Sequence, residues 1–304
     1  MSRKRNSAIN QEKLYKEMMG EQINEKEYYN KQDLEVDFGD IPDGELKEDE
    51  EINKLQLKKI KSEIAKILNN DIKLKAKNES QKKLIESIKH NEIVFCEGNA
   101  GVGKTYIAVA YALNLIRKSS TPYVKIYLVK PAITLPGEDM GYLKGSLSDK
   151  YDVYMTSFYL NIEKLIGKST MNELLEKQII QPLPLAYLRG ASLDSCIICA
   201  DEIQNVSYSN SKTLLTRIGF NSKMIVLGDS GQIDLKDKTE SALAKLVQMF
   251  KGCEDEGIGV VEMSDEDENV RNPIINVIER KFKEQYNIFE NKSNNKHNMK
   301  KKSE

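Results

Sequence analysis

Gly98-Asn99-Ala100-Gly101-Val102-Gly103-Lys104-Thr105 is a complete G-x-x-x-x-G-K-[ST] run. Residues of these types at this spacing cradle phosphate. The glycines let the backbone curl so that its N–H groups point inward at phosphate oxygens, and the start of a following helix adds its positive dipole end. Lys104 can reach the β- and γ-phosphates, and the Thr105 hydroxyl can hold Mg²⁺. About a hundred positions later, Asp201 and Glu202 close an apolar run. At such a strand tip the first carboxylate holds the Mg²⁺ shell, usually through water, and the second points at the γ-phosphate and can activate the attacking water. Gln232 follows the next apolar run, 223–227, where it can hydrogen-bond the γ-phosphate or position water; the bland alternative is a plain turn. Arg189, Arg217 and Arg271 are candidates for a charge-stabilising finger. Arg271, after the last strand, is the first choice. Arg217 ends the helix before the sensor strand and suits reach into a neighbouring subunit. Gln81 can read the adenine edge, or be an ordinary helix-surface glutamine.

These groups need elements to position them, and the hydropathy pattern supplies strands alternating with helices, the mark of a parallel α/β sheet. Strands are predicted at 93–97, 125–129, 196–200, 223–227 and 259–263, and helices at 105–117, 151–166, 208–218, 239–250 and 273–286. The last begins with Pro273 after a polar Asn272 able to cap it. Tyr151, Tyr154, Phe158, Ile162 and Leu165 recur at helical spacing and read as a core face, with base stacking as the rival use. The stretch from Lys130 to Leu147, with glycines at 137, 141 and 145, is too long for a plain connector and reads as a functional loop of unknown ligand.

Composition bounds the rest. The 304 residues are 39% hydrophobic and 31% charged, with net charge −1, so no global field announces a polyanionic partner. No run of eighteen apolar residues is present and no secretory h-region follows Met1, so the chain reads as cytosolic, without a membrane partner. Cys196 and Cys199 have C-x-x-C spacing but sit in an apolar strand, and only two histidines exist, which disfavours zinc, redox and His-based nucleophilic chemistry. The acidic block from Asp33 to Glu51 is expected to stay solvated and flexible. Leu57, Ile60, Ile64, Ile67 and Leu68 then form an amphipathic helix that packs on the main domain or on a partner. The lysine-, asparagine- and serine-rich tail is expected to be disordered. The organisation expected is 1–51 extension, 52–77 helical segment, 78–290 nucleotide-binding domain and 291–304 basic tail.

Taken in order, these motifs resemble the PhoH family of ATPases, relatives of the superfamily 1 helicase core. The resemblance rests on Gly98 to Thr105, Lys130-Pro131-Ala132, Gly141-Tyr142-Leu143-Lys144-Gly145 and Leu185-Ala186-Tyr187-Leu188-Arg189-Gly190. It continues through Asp201-Glu202-Ile203-Gln204-Asn205, the stretch from Leu215 to Phe220, Gly228-Asp229 with Gln232-Ile233-Asp234-Leu235, and Asn269-Val270-Arg271-Asn272-Pro273. It implies a three-layer, RecA-like P-loop fold with a central parallel sheet, binding and hydrolysing ATP with Mg²⁺. It also raises ring assembly of identical copies, and RNA is the substrate suggested for some members. The chain departs from the family at Lys130 (usually arginine), Asn272 (usually histidine), Ile203 (usually alanine) and across 153–161, which lacks the usual prolines. The rival readings are a ring-forming helicase or translocase, a small-molecule kinase, and a nucleotide-gated interaction module.

Overall fold

Six short apolar runs pair into one all-parallel sheet: β1 (Ile93–Glu97), β2 (Lys125–Val129), β3 (Ile180–Pro182), β4 (Cys196–Ala200), β5 (Lys223–Gly228) and β6 (Ile258–Glu262), in the order β3-β2-β4-β5-β1-β6. The computed structural model describes residues 43–69, 72–131 and 147–263, with isolated helical positions between 274 and 285. Every residue of β4 and β5 is buried. Strands covered on both faces read as continuous apolar runs, which is why both stand out in the sequence. The unexpected strand is β3, three residues ending in Pro182 at the sheet edge, where a missing N–H costs no ladder bond.

The helices are α1 (Asp43–Ile67), α2 (Glu79–His90), α3 (Lys104–Arg117), α4 (Leu147–Tyr154), α5 (Thr156–Ile166), α6 (Lys168–Glu176), α7 (Tyr208–Leu215) and α8 (Leu243–Phe250). One face of the sheet, through Val94, Cys96, Leu128, Ile197 and Leu227, packs with apolar side chains from α1 to α6. The other, through Phe95, Ile198 and Val226, packs with Leu214 of α7 and with Leu243 and Leu246 of α8. This is the three-layer arrangement expected of a RecA-like P-loop fold.

Several boundaries differ from expectation for local reasons. The run 151–166 is two helices, with Met155 (φ −81°, ψ −6°) at their junction. Its stripe is core: Tyr151, Phe158 and Ile162 are buried, and Tyr154 and Leu165 pack against them. The hydroxyl of Tyr151, whose pKa burial pushes up to about 12, accepts from the Lys130 N–H at 3.0 Å and pins the end of β2. Cys196 and Cys199 lie three apart in β4 and fall into the cores on opposite faces of the sheet, so they cannot share a ligand. The helix expected at 273–286 and the loop 132–146 lie outside the described residues, apart from isolated helical positions in the former.

The chain forms two compact units, Met1–Lys54 and Leu55–Glu304. In the first, only helical residues 43–54 are described. α1 begins at Asp43 rather than near residue 52, so the later residues of the acidic block are helical. Among the described residues, no helix is long and apolar enough to cross a membrane.

Within the second unit, the end of α1 docks on the core through Ile64 and the Leu68 that follows it. Buried Lys61 donates to the carbonyls of Ile116 and Lys118 and to the Thr121 hydroxyl, each at 2.9 Å, and so caps the C-terminal end of α3. Replacing it with methionine keeps the stem but orphans the buried Ile116 carbonyl, and is expected to cost about 1–3 kcal/mol. Burial pushes the Lys61 pKa down to about 8. Between that value and the ordinary lysine value near 10.4 the unfolded chain binds more protons, so Lys61 contributes more to stability as pH rises. Chemical denaturation of parent and Lys61→Met should therefore show a gap that is flat below pH 8 and widens from pH 8 to about 10.

Candidate nucleotide site

Parallel pairing sets the site. In register, Val129 lies beside Ala200, Ala200 beside Val226, and Glu97 beside Gly228. The residues following β1, β2, β4 and β5 therefore emerge along one edge, the carboxyl edge where open α/β sheets bind ligands. These are the glycine loop, Lys130, Asp201 with Glu202, and Asp229. All of these but Lys130 contribute residues to the wall of a cleft of about 660 Å³.

The glycine loop leaves β1 and enters α3 through Gly101 (φ 85°) and Gly103 (φ 94°), left-handed positions that any Cβ would strain. Lys104 donates to the carbonyls of Gly98 (2.6 Å) and Asn99 (2.7 Å), folded back over the loop that a phosphate would occupy. Ala100, Gly101, Gly103, Lys104 and Thr105 line the cleft. Val102 instead turns its side chain into the core, while its carbonyl accepts from Gln81 Nε2 at 2.8 Å. Gln81 is buried, its Oε1 takes the Lys77 N–H at 2.8 Å, and it lines the cleft while bracing the loop.

Thr105 Oγ1 donates to Asp201 Oδ2 at 2.9 Å across the tips of the loop and β4. Burial, reinforced by the charge of Glu202, raises the Asp201 pKa, while Lys130, the Thr105 hydroxyl and Lys104 oppose the rise. A buried carboxylate in this state favours a cationic companion. Two hard oxygen donors at this distance suit Mg²⁺, which keeps water and phosphate in its shell. Among the described residues, no group of three or more His, Cys, Asp or Glu forms a self-sufficient metal site.

Glu202 takes left-handed backbone angles (φ 59°, ψ 35°), unusual for a non-glycine, and its N–H donates to Asp201 Oδ1 at 3.0 Å. Its carboxylate faces the cleft, with Oε1 3.6 Å from Lys130 Nζ. Its Oε2 accepts from Gln204 Nε2 at 2.6 Å. Gln204 is fully buried, and sequence reasoning gave it no role. Its Nε2 also donates to the Gln232 carbonyl (3.1 Å), and its Oε1 accepts from the Asp229 N–H (3.1 Å). It thus ties the tip of β4 to the turn after β5. That approach requires Gly228, because a Cβ there would lie 2.6 Å from Gln204 Oε1 and equally close to Leu243 Cδ2. Gln232 lines the cleft, its side chain donating to Asp229 Oδ2 at 3.0 Å.

Of the candidate arginines, the two among the described residues, Arg189 and Arg217, are not gathered here. Arg217 donates to the Ala191 carbonyl (3.3 Å) and the Thr216 hydroxyl (3.0 Å), beside the amino ends of β4 and β5. The six residues of β5, roughly 20 Å of strand, separate that edge from Asp229. Arg189 is exposed after a 3₁₀ turn and does not line the cleft, and Arg271 lies outside the described residues.

A central parallel sheet, a glycine loop entering a helix, and a threonine bonded to a strand-tip aspartate together define a P-loop NTPase. Comparison with known proteins narrows this: the family model "PhoH-like protein" matches residues 73–283, and the chain belongs to that family. It is 38% identical over 202 residues to a PhoH-like protein of Bacillus subtilis, covering 66% of this chain and 61% of that protein. A PhoH-like protein of Synechocystis is 33% identical, covering 77% and 68% respectively. Protein PhoH of Escherichia coli is 34% identical, covering 63% and 53%. The alignments thus leave out a third or more of several relatives' lengths. A solved structure, the Pif1 helicase of Candida albicans, matches over 64% of this chain and 42% of its own at 15% identity with TM-score 0.29, too weak a likeness to bear on function.

Proposed function

We propose that the protein binds and hydrolyses ATP with Mg²⁺, in the cytoplasm, and does so on or with RNA. The observation that carries the reading is the Thr105–Asp201 hydrogen bond of 2.9 Å, set beside a strained Glu202 in the cleft of the glycine loop. The loop amides and Lys104 bind the phosphate chain, and Thr105 with Asp201 supplies the oxygens that hold Mg²⁺, which neutralises charge on the transferring phosphate. Glu202 takes a proton from the attacking water. Gln204 holds Glu202 in place, and Gln232 reports the γ-phosphate to the turn after β5. Arg271, or Arg217 of a neighbouring copy, stabilises the charge that develops. Arg217 sits at the sheet edge remote from its own cleft, so in this role it implies a homo-oligomer, ring-shaped in the simplest closure.

Steady-state phosphate release from ATP tests this, measured with and without Mg²⁺ and with and without single-stranded RNA. Turnover that needs Mg²⁺ and rises with RNA is the expected result. ADP formation stimulated by a small metabolite, without matching release of free phosphate, would favour a kinase. Tight binding with negligible turnover would favour a nucleotide-gated interaction module.

A further inference from the structure

Four lysines line the cleft in addition to Lys104, and the hydrolytic scheme uses none of them. Lys73, Lys75 and Lys77 alternate with less exposed residues along the run 72–77, as one face of an extended segment does. Lys164 of α5 joins them in lining the cleft, its Nζ 5.9 Å from the centre of the Tyr106 ring. The run is pinned at both ends. The carbonyl of buried Ile72 accepts from Asn114 Nδ2 of α3 at 2.9 Å. The Lys77 N–H is held by Gln81, which itself holds the glycine loop at Val102. The result is a fixed rail with ammonium stems roughly 6.6 Å apart.

The acids of the cleft are committed elsewhere. Asp201 is bonded to Thr105, Glu202 to Gln204 and near Lys130, and Asp229 to the Gly231 N–H and Gln232. Among the described residues, no carboxylate forms an ion pair with Lys73, Lys75, Lys77 or Lys164. A base and an unmodified ribose bring no negative charge to a wall of this kind. An ammonium donates only, and its natural partner is a phosphate.

We propose that the rail is a second anion subsite, and that the cleft takes a nucleoside polyphosphate carrying a further phosphate on its ribose. The 5′ chain lies on the glycine loop and the extra phosphate among Lys73, Lys75, Lys77 and Lys164. This rests on the nucleotide reading above and names its ligand class more narrowly. The same chemistry exists in two sources, a free nucleotide phosphorylated on the ribose and the 5′-triphosphate end of an RNA.

The test is calorimetry on the full chain with ADP and with adenosine 3′-phosphate 5′-diphosphate, repeated with the 2′-phosphate isomer. One of the phosphorylated forms should bind about tenfold tighter than ADP, the gain of two or three exposed charge pairs. In the triple variant Lys73→Ser, Lys75→Ser, Lys77→Ser the gain should vanish while ADP affinity stays within about threefold. Equal affinity of the parent for all three compounds overturns the proposal, as does a gain that survives in the variant. If ADP itself does not bind, the nucleotide reading fails and this one with it. A 5′-triphosphorylated dinucleotide separates the sources: tightening over ATP means RNA ends enter, and no tightening confines the ligand to free nucleotides.

Discussion

Glu202→Gln should lower phosphate release by about 10²–10⁴-fold, the contribution of a positioned general base, while leaving nucleotide affinity nearly unchanged. The substitution is nearly isosteric. The amide oxygen can still accept from Gln204 Nε2, now 2.6 Å from Glu202 Oε2, so the tie to the turn after β5 survives. What disappears is the capacity to take a proton and the charge facing Lys130 at 3.6 Å. Single-turnover kinetics paired with calorimetry separates the chemical step from binding. A variant hydrolysing at the parent rate would remove Glu202 from the mechanism and leave water activation to another group.

Lys104→Met should act on binding instead. The lysine now donates to two loop carbonyls, and a phosphate chain offers it charged acceptors in their place. Methionine keeps most of the stem and loses the charge, so affinity for a triphosphate should fall on the order of a hundredfold, each hydrogen bond to a charged group contributing about 1.5–3 kcal/mol. Thermal denaturation gives an independent reading. Nucleotide at 100 times the parent dissociation constant should stabilise the parent by about 2.7 kcal/mol and the variant by only about 0.4 kcal/mol. Equal stabilisation of both would mean that the loop amides alone hold the phosphates.

Much of this was legible in the sequence because the relevant signals are local. The strands that became β1, β2, β4 and β5 are short apolar runs, fully buried in β4 and β5 and mostly so in β1 and β2, and each expected start agrees with the structure. The glycine loop and the Asp201-Glu202 pair come together because all the strands run one way, and that follows from the alternation of strands and helices. Other features were hidden because they depend on partners distant along the chain. β3 is too short to carry a pattern and exists through its pairing with β2. The role of Gln204 requires Gly228 and Gln232 to approach within contact distance, which no local spacing encodes. The docking of α1 likewise includes one buried lysine whose acceptors lie 55 to 60 residues away. Arg217 was recognisable as a residue type, but only the sheet reveals that it stands at the edge opposite the cleft.

α3 is a rod of fourteen residues, about 21 Å long, gripped at both tips: the glycine loop at one, Lys61 at the other. An occupant of the loop that shifted the rod would shift the carbonyls that the clasp holds at its far end. By thermodynamic reciprocity, any free energy with which a ligand tightens that clasp is returned as improved affinity when the amino-terminal helix seats itself.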